Sequence, residues 1–301
     1  MGYKMFNFII CGTKVTTDTI FISKLPISGS YKEHIKLSIL DNTYNYNITY
    51  KSLLHKAHQR KVYIGSNDTL NKLNQNQQFC YEVQDIVKFY WIHNKKQIHY
   101  EILSNGTQLL LEFWFLKLFY PLYLTIEKSS LFFHASSTLV NNNPIIFIAK
   151  SMSGKTTLNN YFLQKKHKFI TDDILPIFLS NDSINCTLSF PYYKPYRKDE
   201  HIGNYTSLFN NQFTPIHSIY ILSPYHTKQT IDIIEIKGFE KIKVLKEHSL
   251  IYRFKFNREE QYKVLLRLSK ELKIFSIHRP FGIEFLDKTY QTIVQHQKEI
   301  I

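Results

Sequence analysis

Apolar residues change their spacing along the chain. Up to about residue 105 they come in short alternating or β-branched and aromatic runs, at 5–10, 14–22, 35–40, 61–64, 86–91 and 97–103, separated by polar stretches such as the Asn- and Gln-rich 71–78. Alternation of period two broken by polar clusters predicts strands joined by turns. His93-Asn94-Lys95-Lys96 reads as a hairpin-like turn between the last two strands, and 51–59 as a helix interrupting the series. The next stretch, 108–126, is almost continuously apolar and approaches the length of a membrane span. Glu112 and Lys117 fall in its middle and Pro121 breaks it. Charges in lipid are costly, so it reads instead as a buried helix of about ten to fourteen residues with a loop from Pro121, and no membrane association is expected.

From residue 131 strand and helix signals alternate. Strands are predicted at 131–134, 144–149, 168–171, 174–179, 184–190, 216–223 and 230–236, and helices at 157–164, 241–247, 259–272 and 290–299. Between the last two helices, 273–286 reads as two strands around Arg279-Pro280, where Arg279 is read as structural, with a nucleotide contact as the alternative. The pattern describes a mixed α/β chain: a β-rich accessory domain over 1–105 and a second domain over 106–301 built on a mixed sheet with helices. The first domain carries no catalytic constellation. It reads either as a platform for a protein substrate or an oligomer contact, or as a structural lid.

The chemistry concentrates between residues 131 and 177. The apolar strand at 144–149 runs into Ala149-Lys150-Ser151-Met152-Ser153-Gly154-Lys155-Thr156-Thr157, and Leu158, Tyr161 and Phe162 follow at helical spacing. Strand, tight loop and helix in that order form a phosphate-binding loop: backbone N–H groups and the positive end of the helix face an anion. Lys155 supplies a full charge to the terminal phosphates of ATP, and the Thr156 hydroxyl can ligate the Mg²⁺ bridging them. The strand at 168–171 ends in Asp172-Asp173, adjacent carboxylates expected to face the loop at the C-terminal edge of a parallel sheet, where they can hold Mg²⁺ or accept a proton. His134 ends the strand before the loop.

The ordered set His134-Ala135-Ser136, strand, loop with Ser151 and Gly154-Lys155-Thr156, helix, then Thr171-Asp172-Asp173 resembles HPr kinase/phosphorylase and its relatives. The resemblance covers about 131–177 firmly and extends from roughly 108 to the C-terminus. It implies a P-loop kinase-like core similar to phosphoenolpyruvate carboxykinase, with ATP and Mg²⁺ as cofactors and transfer of the γ-phosphoryl group to a hydroxyl, usually a serine, of a protein, a peptide or a small molecule. It also implies roles: Asp172 as the base, Asp173 with Thr156 on the metal, and His134 orienting the base. The chain departs from the family at Ala149 and Met152, where glycine is common, and at Thr157, where an acid often stands. The glycine-rich signature of the bifunctional members is missing after Asp173, so kinase activity without the reverse phosphorylase reaction is expected. Relatives tend to assemble, which keeps a homo-oligomer open.

Among the basic residues of 190–198, Arg197 is the best candidate to neutralise the transferred phosphoryl group, because a guanidinium binds two phosphate oxygens at once. Two other readings share these residues. One is a nucleotide-binding regulatory or assembly protein without catalysis, and the other a carboxykinase-like enzyme acting on a small acid. Composition narrows the classes further. The formal net charge is +14, yet the lysines are scattered, so a nucleotide or acidic partner accounts for the charge and no nucleic acid is expected. Three distant cysteines without a CxxC pattern indicate neither disulfides nor zinc and fit a reducing cytoplasm. The apolar run at 5–11 is too short for a secretion signal.

Overall fold

The computed structural model describes residues 4–127, 130–150, 153–194, 199–250 and 254–300. The chain folds as two compact units, one of 4–127 with 199–202 and 254–259, the other of 130–194, 203–250 and 260–300. Both are built on mixed sheets, so the chain belongs to the mixed α/β class.

The first unit is an eight-stranded sheet of β1 (Phe6–Ile10), β2 (Thr13–Thr17), β3 (Glu33–Ile39), β4 (Tyr50–Ala57), β5 (Arg60–Ser66), β6 (Gln78–Val83), β7 (Val87–Ile92) and β8 (Gln97–Ile102), in the order β1-β2-β3-β8-β7-β6-β5-β4. β3 runs parallel to β2 and β8, and the other pairs are antiparallel. The helix expected at 51–59 is strand β4. His58 (φ 49°) and Gln59 (φ 63°) turn it back onto β5. It is a mostly exposed edge strand whose Tyr50, Leu53, Leu54 and Ala57 have helical spacing but are not buried as a stripe against a core. Ladder bonds to β5 outweigh its local helix propensity. β6 was not among the predicted strands.

Against this sheet lies a helical run of α1 (Gln108–Trp114), a π-helical segment (Phe115–Phe119) and α2 (Tyr120–Ile126). Thr107 caps it, its side chain accepting from the Leu110 N–H. Contrary to the sequence reading, the helix does not stop at Pro121. Proline lacks the N–H for an ordinary helical bond. Here it sits in the first turn of α2, directly after the π segment in which the Tyr120 N–H reaches the Phe115 carbonyl. Phe119 stacks on Phe89 at 4.2 Å. Glu112 is fully buried and accepts from the Ile22 and Ser23 backbone N–H groups and the Ser23 hydroxyl. The span Gln108–Ile126 has the length and apolarity to cross a membrane, and in this unit most of it is buried. The units therefore divide at about 129/130 rather than 105/106, because this helix covers the first sheet.

The second unit contains β9 (Leu131–Val140), β10 (Asn143–Ile148), α3 (Lys155–Gln164), β11 (Lys168–Thr171), β12 (Ile174–Leu179), β13 (Ile184–Cys186), β14 (Tyr192–Tyr193), β15 (Asn204–Tyr205), β16 (Thr214–Pro215), β17 (Ser218–Leu222), β18 (Asp232–Ile236), α4 (Phe239–His248), β19 (Lys273–His278) and α6 (Leu286–Ile300), with α5 (Lys255–Glu271) entering it from residue 260. The main sheet has the order β16-β13-β12-β9-β10-β17-β19-β18, and β11 also pairs with β9. β10, β17 and β19 are mutually parallel and the remaining pairs antiparallel. Residues 273–286 give one strand and a 3₁₀ turn (Ile283–Phe285), not two strands.

Alternation along the strands sorts side chains into two cores. Leu131, Phe133, Ala135, Ile146 and Ile148 meet Leu245 of α4 and Leu265, Leu268 and Leu272 of α5 on one face. Ile145, Phe147 and Ala149 meet Leu158 and Phe162 of α3 and Ile293 of α6 on the other. His134 and Ser136 alternate with Ala135, which directs them to the α3 face.

Candidate functional site

β9 is longer than the sequence reading allowed. It runs through His134 to Val140 and turns at Asn141 (φ 48°) and Asn142 (φ 62°) into β10. Two central residues at positive φ are what a tight antiparallel hairpin requires, and asparagine tolerates them. The Asn-Asn pair was the available signal. The hairpin brings Ala135 opposite Ile148, the last residue of β10 before the loop.

The loop begins at Ala149 and delivers the chain to α3. Ser151 and Met152 lie outside the described residues, and so does Arg197. Gly154 caps α3 with φ 80° and ψ 17°, a left-handed conformation that favours glycine. The buried Lys155 donates from Nζ to the Ala149 carbonyl at 2.7 Å and the Lys150 carbonyl at 3.4 Å, so its ammonium lies over the loop. Thr156 is half-buried and Thr157 exposed in the first turn of α3. Lys150 is exposed, 3.8 Å from Glu247.

The acid pair falls in a break between β11 and β12, both of which run antiparallel to β9. The carboxylates are thus at the C-terminal end of β11, but their immediate neighbour is the antiparallel β9, not a parallel strand. Thr171 is paired with Ser137 and Ile174 with His134, so Asp172 and Asp173 stand level with 135 and 136, hence with the end of β10. Two interstrand spacings, about 10 Å, separate β11 from β10.

The two aspartates differ in surroundings. Asp172 is buried; Ser136 Oγ donates to its Oδ1 at 3.1 Å and the Lys194 N–H to its Oδ2 at 2.9 Å. Asp173 is partly exposed, and its Oδ1 lies 3.0 Å from His134 Nδ1. His134 therefore pairs with Asp173, whereas the resemblance had it orienting Asp172. Asn159 of α3 donates to the Thr171 carbonyl at 2.9 Å, tying the helix after the loop to the strand before the acids. His248, at the end of α4, has its pKa lowered first by burial and then by the charges of Lys155, His134 and Lys150, against Glu247.

The sequence reading gave Arg279 a structural role, with a nucleotide contact as the alternative, and did not place it against the loop. Arg279, 126 residues away in sequence, is buried and donates from Nη2 to the Ser153 carbonyl at 2.6 Å and to the Tyr225 hydroxyl at 3.2 Å. Its guanidinium lies 4.6 Å from the Tyr225 ring centre. Burial lowers its pKa. The Arg279-Pro280 pair after an apolar strand was the only sequence signal.

Among the described residues no cluster of three or more His, Cys, Asp or Glu side chains forms a metal cage. Mg²⁺ bound with substrate phosphates needs only one or two protein carboxylates, and the oxygen donors that could hold it here are the Thr156 hydroxyl and the carboxylates of Asp172 and Asp173. No protein-family model matches the chain, and no curated protein does. Among solved structures it is similar to the Hpr(Ser) kinase/phosphatase from Coxiella burnetii, with 12% identity over 56% of this chain and 94% of that chain and a TM-score of 0.32.

Proposed function

We propose that the chain is an ATP-dependent phosphotransferase that moves the γ-phosphoryl group to a hydroxyl, serine being the favoured acceptor. One observation carries the reading: a lysine-bearing loop at a helix N-terminus and a carboxylate–imidazole pair stand at the same level of one sheet, one strand apart. The triphosphate lies on the loop, where Lys155 and the α3 N-terminus neutralise its charge. Thr156 and Asp172 would hold Mg²⁺, which supplies charge neutralisation between the β- and γ-phosphates. Ser136 and the Lys194 N–H fix the Asp172 carboxylate in place. Asp173, oriented by His134, accepts the acceptor hydroxyl proton as its oxygen bonds to the γ-phosphorus. The bond from that phosphorus to the bridging oxygen breaks, and ADP leaves with the pair of electrons. This exchanges the roles that the resemblance gave to the two aspartates.

The test is calorimetry of Mg·ATP with wild type and Lys155→Ala, followed by mass spectrometry of a cell extract incubated with each protein and with Asp173→Asn. The expected outcome is loss of binding in Lys155→Ala, and a phosphoryl adduct made by wild type and by neither variant. An adduct made equally by Lys155→Ala would overturn the reading; tight binding without any adduct would favour a nucleotide-sensing protein.

A further inference from the structure

A cavity of about 470 Å³ opens beside the loop, within the range of small-molecule sites. Its lining includes Gly154, Thr157, Tyr225, Arg279, Phe281 and Glu284. It shares Gly154 and Thr157 with the phosphate loop, so a molecule seated in it is continuous with whatever occupies the loop. β17 and β19 supply the segments that follow into Tyr225 and Arg279, and they lie on the opposite side of β10 from β9, β11 and the acid pair. An extended ligand crossing the loop thus has one end at Asp173 and the other in this cavity.

The lining has the chemistry of a nucleoside site. Phe281 is 74% exposed and meets Tyr225 edge to face at 5.0 Å, leaving an aromatic surface that a flat base can cover. Arg279 is only 4% exposed, and while Nη2 is engaged by Ser153 and Tyr225, its other terminal nitrogen, Nη1, is buried with no hydrogen-bond partner. A buried donor left unpaired is costly, and an acceptor on a ligand would satisfy it. Glu284 offers an exposed carboxylate, the group that accepts from ribose hydroxyls in other nucleotide sites.

Resting on the phosphotransferase reading, we infer that this cavity holds the nucleoside half of the triphosphate: the base lies against Phe281 and Tyr225, Arg279 Nη1 donates to the ligand, and Glu284 faces the ribose. Arg279 thereby couples the two halves of the site, bracing the loop with one nitrogen and reading the nucleoside with the other.

The experiment compares the affinities of Mg·ATP and magnesium tripolyphosphate, which lacks the nucleoside, for wild type, Phe281→Ala and Lys155→Ala by calorimetry. Phe281 is exposed, so its truncation leaves the fold intact, which a thermal melt verifies. The expected result is that Phe281→Ala weakens ATP about tenfold, as loss of one base–aromatic contact implies, and leaves tripolyphosphate within twofold, while Lys155→Ala weakens both. Unchanged ATP affinity in Phe281→Ala, with both ligands still dependent on Lys155, would overturn the nucleoside assignment and leave the phosphotransferase reading standing. Failure of wild type to bind either ligand would overturn both.

Discussion

At the scale of single residues, Gly154 shows how the loop constrains its sequence. Its left-handed conformation costs a side-chain-bearing residue about 1–2 kcal/mol. A Cβ there would also collide with the Tyr225 hydroxyl and come 3.0 Å from Arg279 Nη2. Gly154→Ala is therefore expected to lower the melting temperature by several degrees, roughly 2–4 °C for each kcal/mol in a protein of this size. It should also weaken Mg·ATP, because Arg279 cannot keep its bond to the Ser153 carbonyl while giving way to the methyl group. Scanning calorimetry and a nucleotide titration of the same variant check both effects. The acid pair makes a related point. Adjacent carboxylates read alike in sequence, and only their neighbours separate a buried, doubly hydrogen-bonded Asp172 from a solvent-reachable Asp173 facing an imidazole.

At the scale of elements, the helical run of α1, the π segment and α2 is the part most open to misreading. Apolarity and length alone fit a membrane span, and Pro121 alone fits a break. The fold resolves both features: the apolar faces are buried on the first unit's sheet, and the π turns accommodate the proline. Phe119 is fully buried and packs against Phe89, Tyr81 and Trp91. Phe119→Ala should cost about 3–5 kcal/mol, the usual range for deleting a buried aromatic ring. Chemical denaturation read by tryptophan fluorescence measures it, since Trp91 lies 5.6 Å from the Phe119 ring.

At the scale of the whole molecule, charge and burial together set the response to pH. His55, His99, His167, His248 and His296 all have pKa values lowered chiefly by burial. In the unfolded chain a histidine titrates near 6.5, so below that value the unfolded state binds more protons than the folded one. Stability is full above about pH 6.5 and is lost as pH falls from there through the lowered folded values. Added positive charge on a chain already at +14 acts in the same direction. The melting temperature should be level above about pH 6.5 and fall from there toward pH 5, and His248→Gln should flatten part of that slope. A melting temperature that stays constant over this range would contradict the burial of these rings.

The sequence alone determined the local order around the site. Strand, loop, glycine, lysine and helix are contiguous, and hydrophobic spacing along a few residues is enough to set them, because each turn or strand segment depends mainly on chain neighbours. The same holds for the short strands of the first unit where they alternate cleanly. It failed at β4, where the His58-Gln59 turn carries no Asn-Gly signature and the strand exists only because β5 pairs with it. The tertiary structure alone decided that the 108–126 helix belongs to the first unit, that β9 separates β10 from the acid pair, that His134 faces Asp173, and that Arg279 reaches the loop from 126 residues away. Those choices follow from which faces bury each other and which strands share ladder bonds, quantities that no local pattern contains.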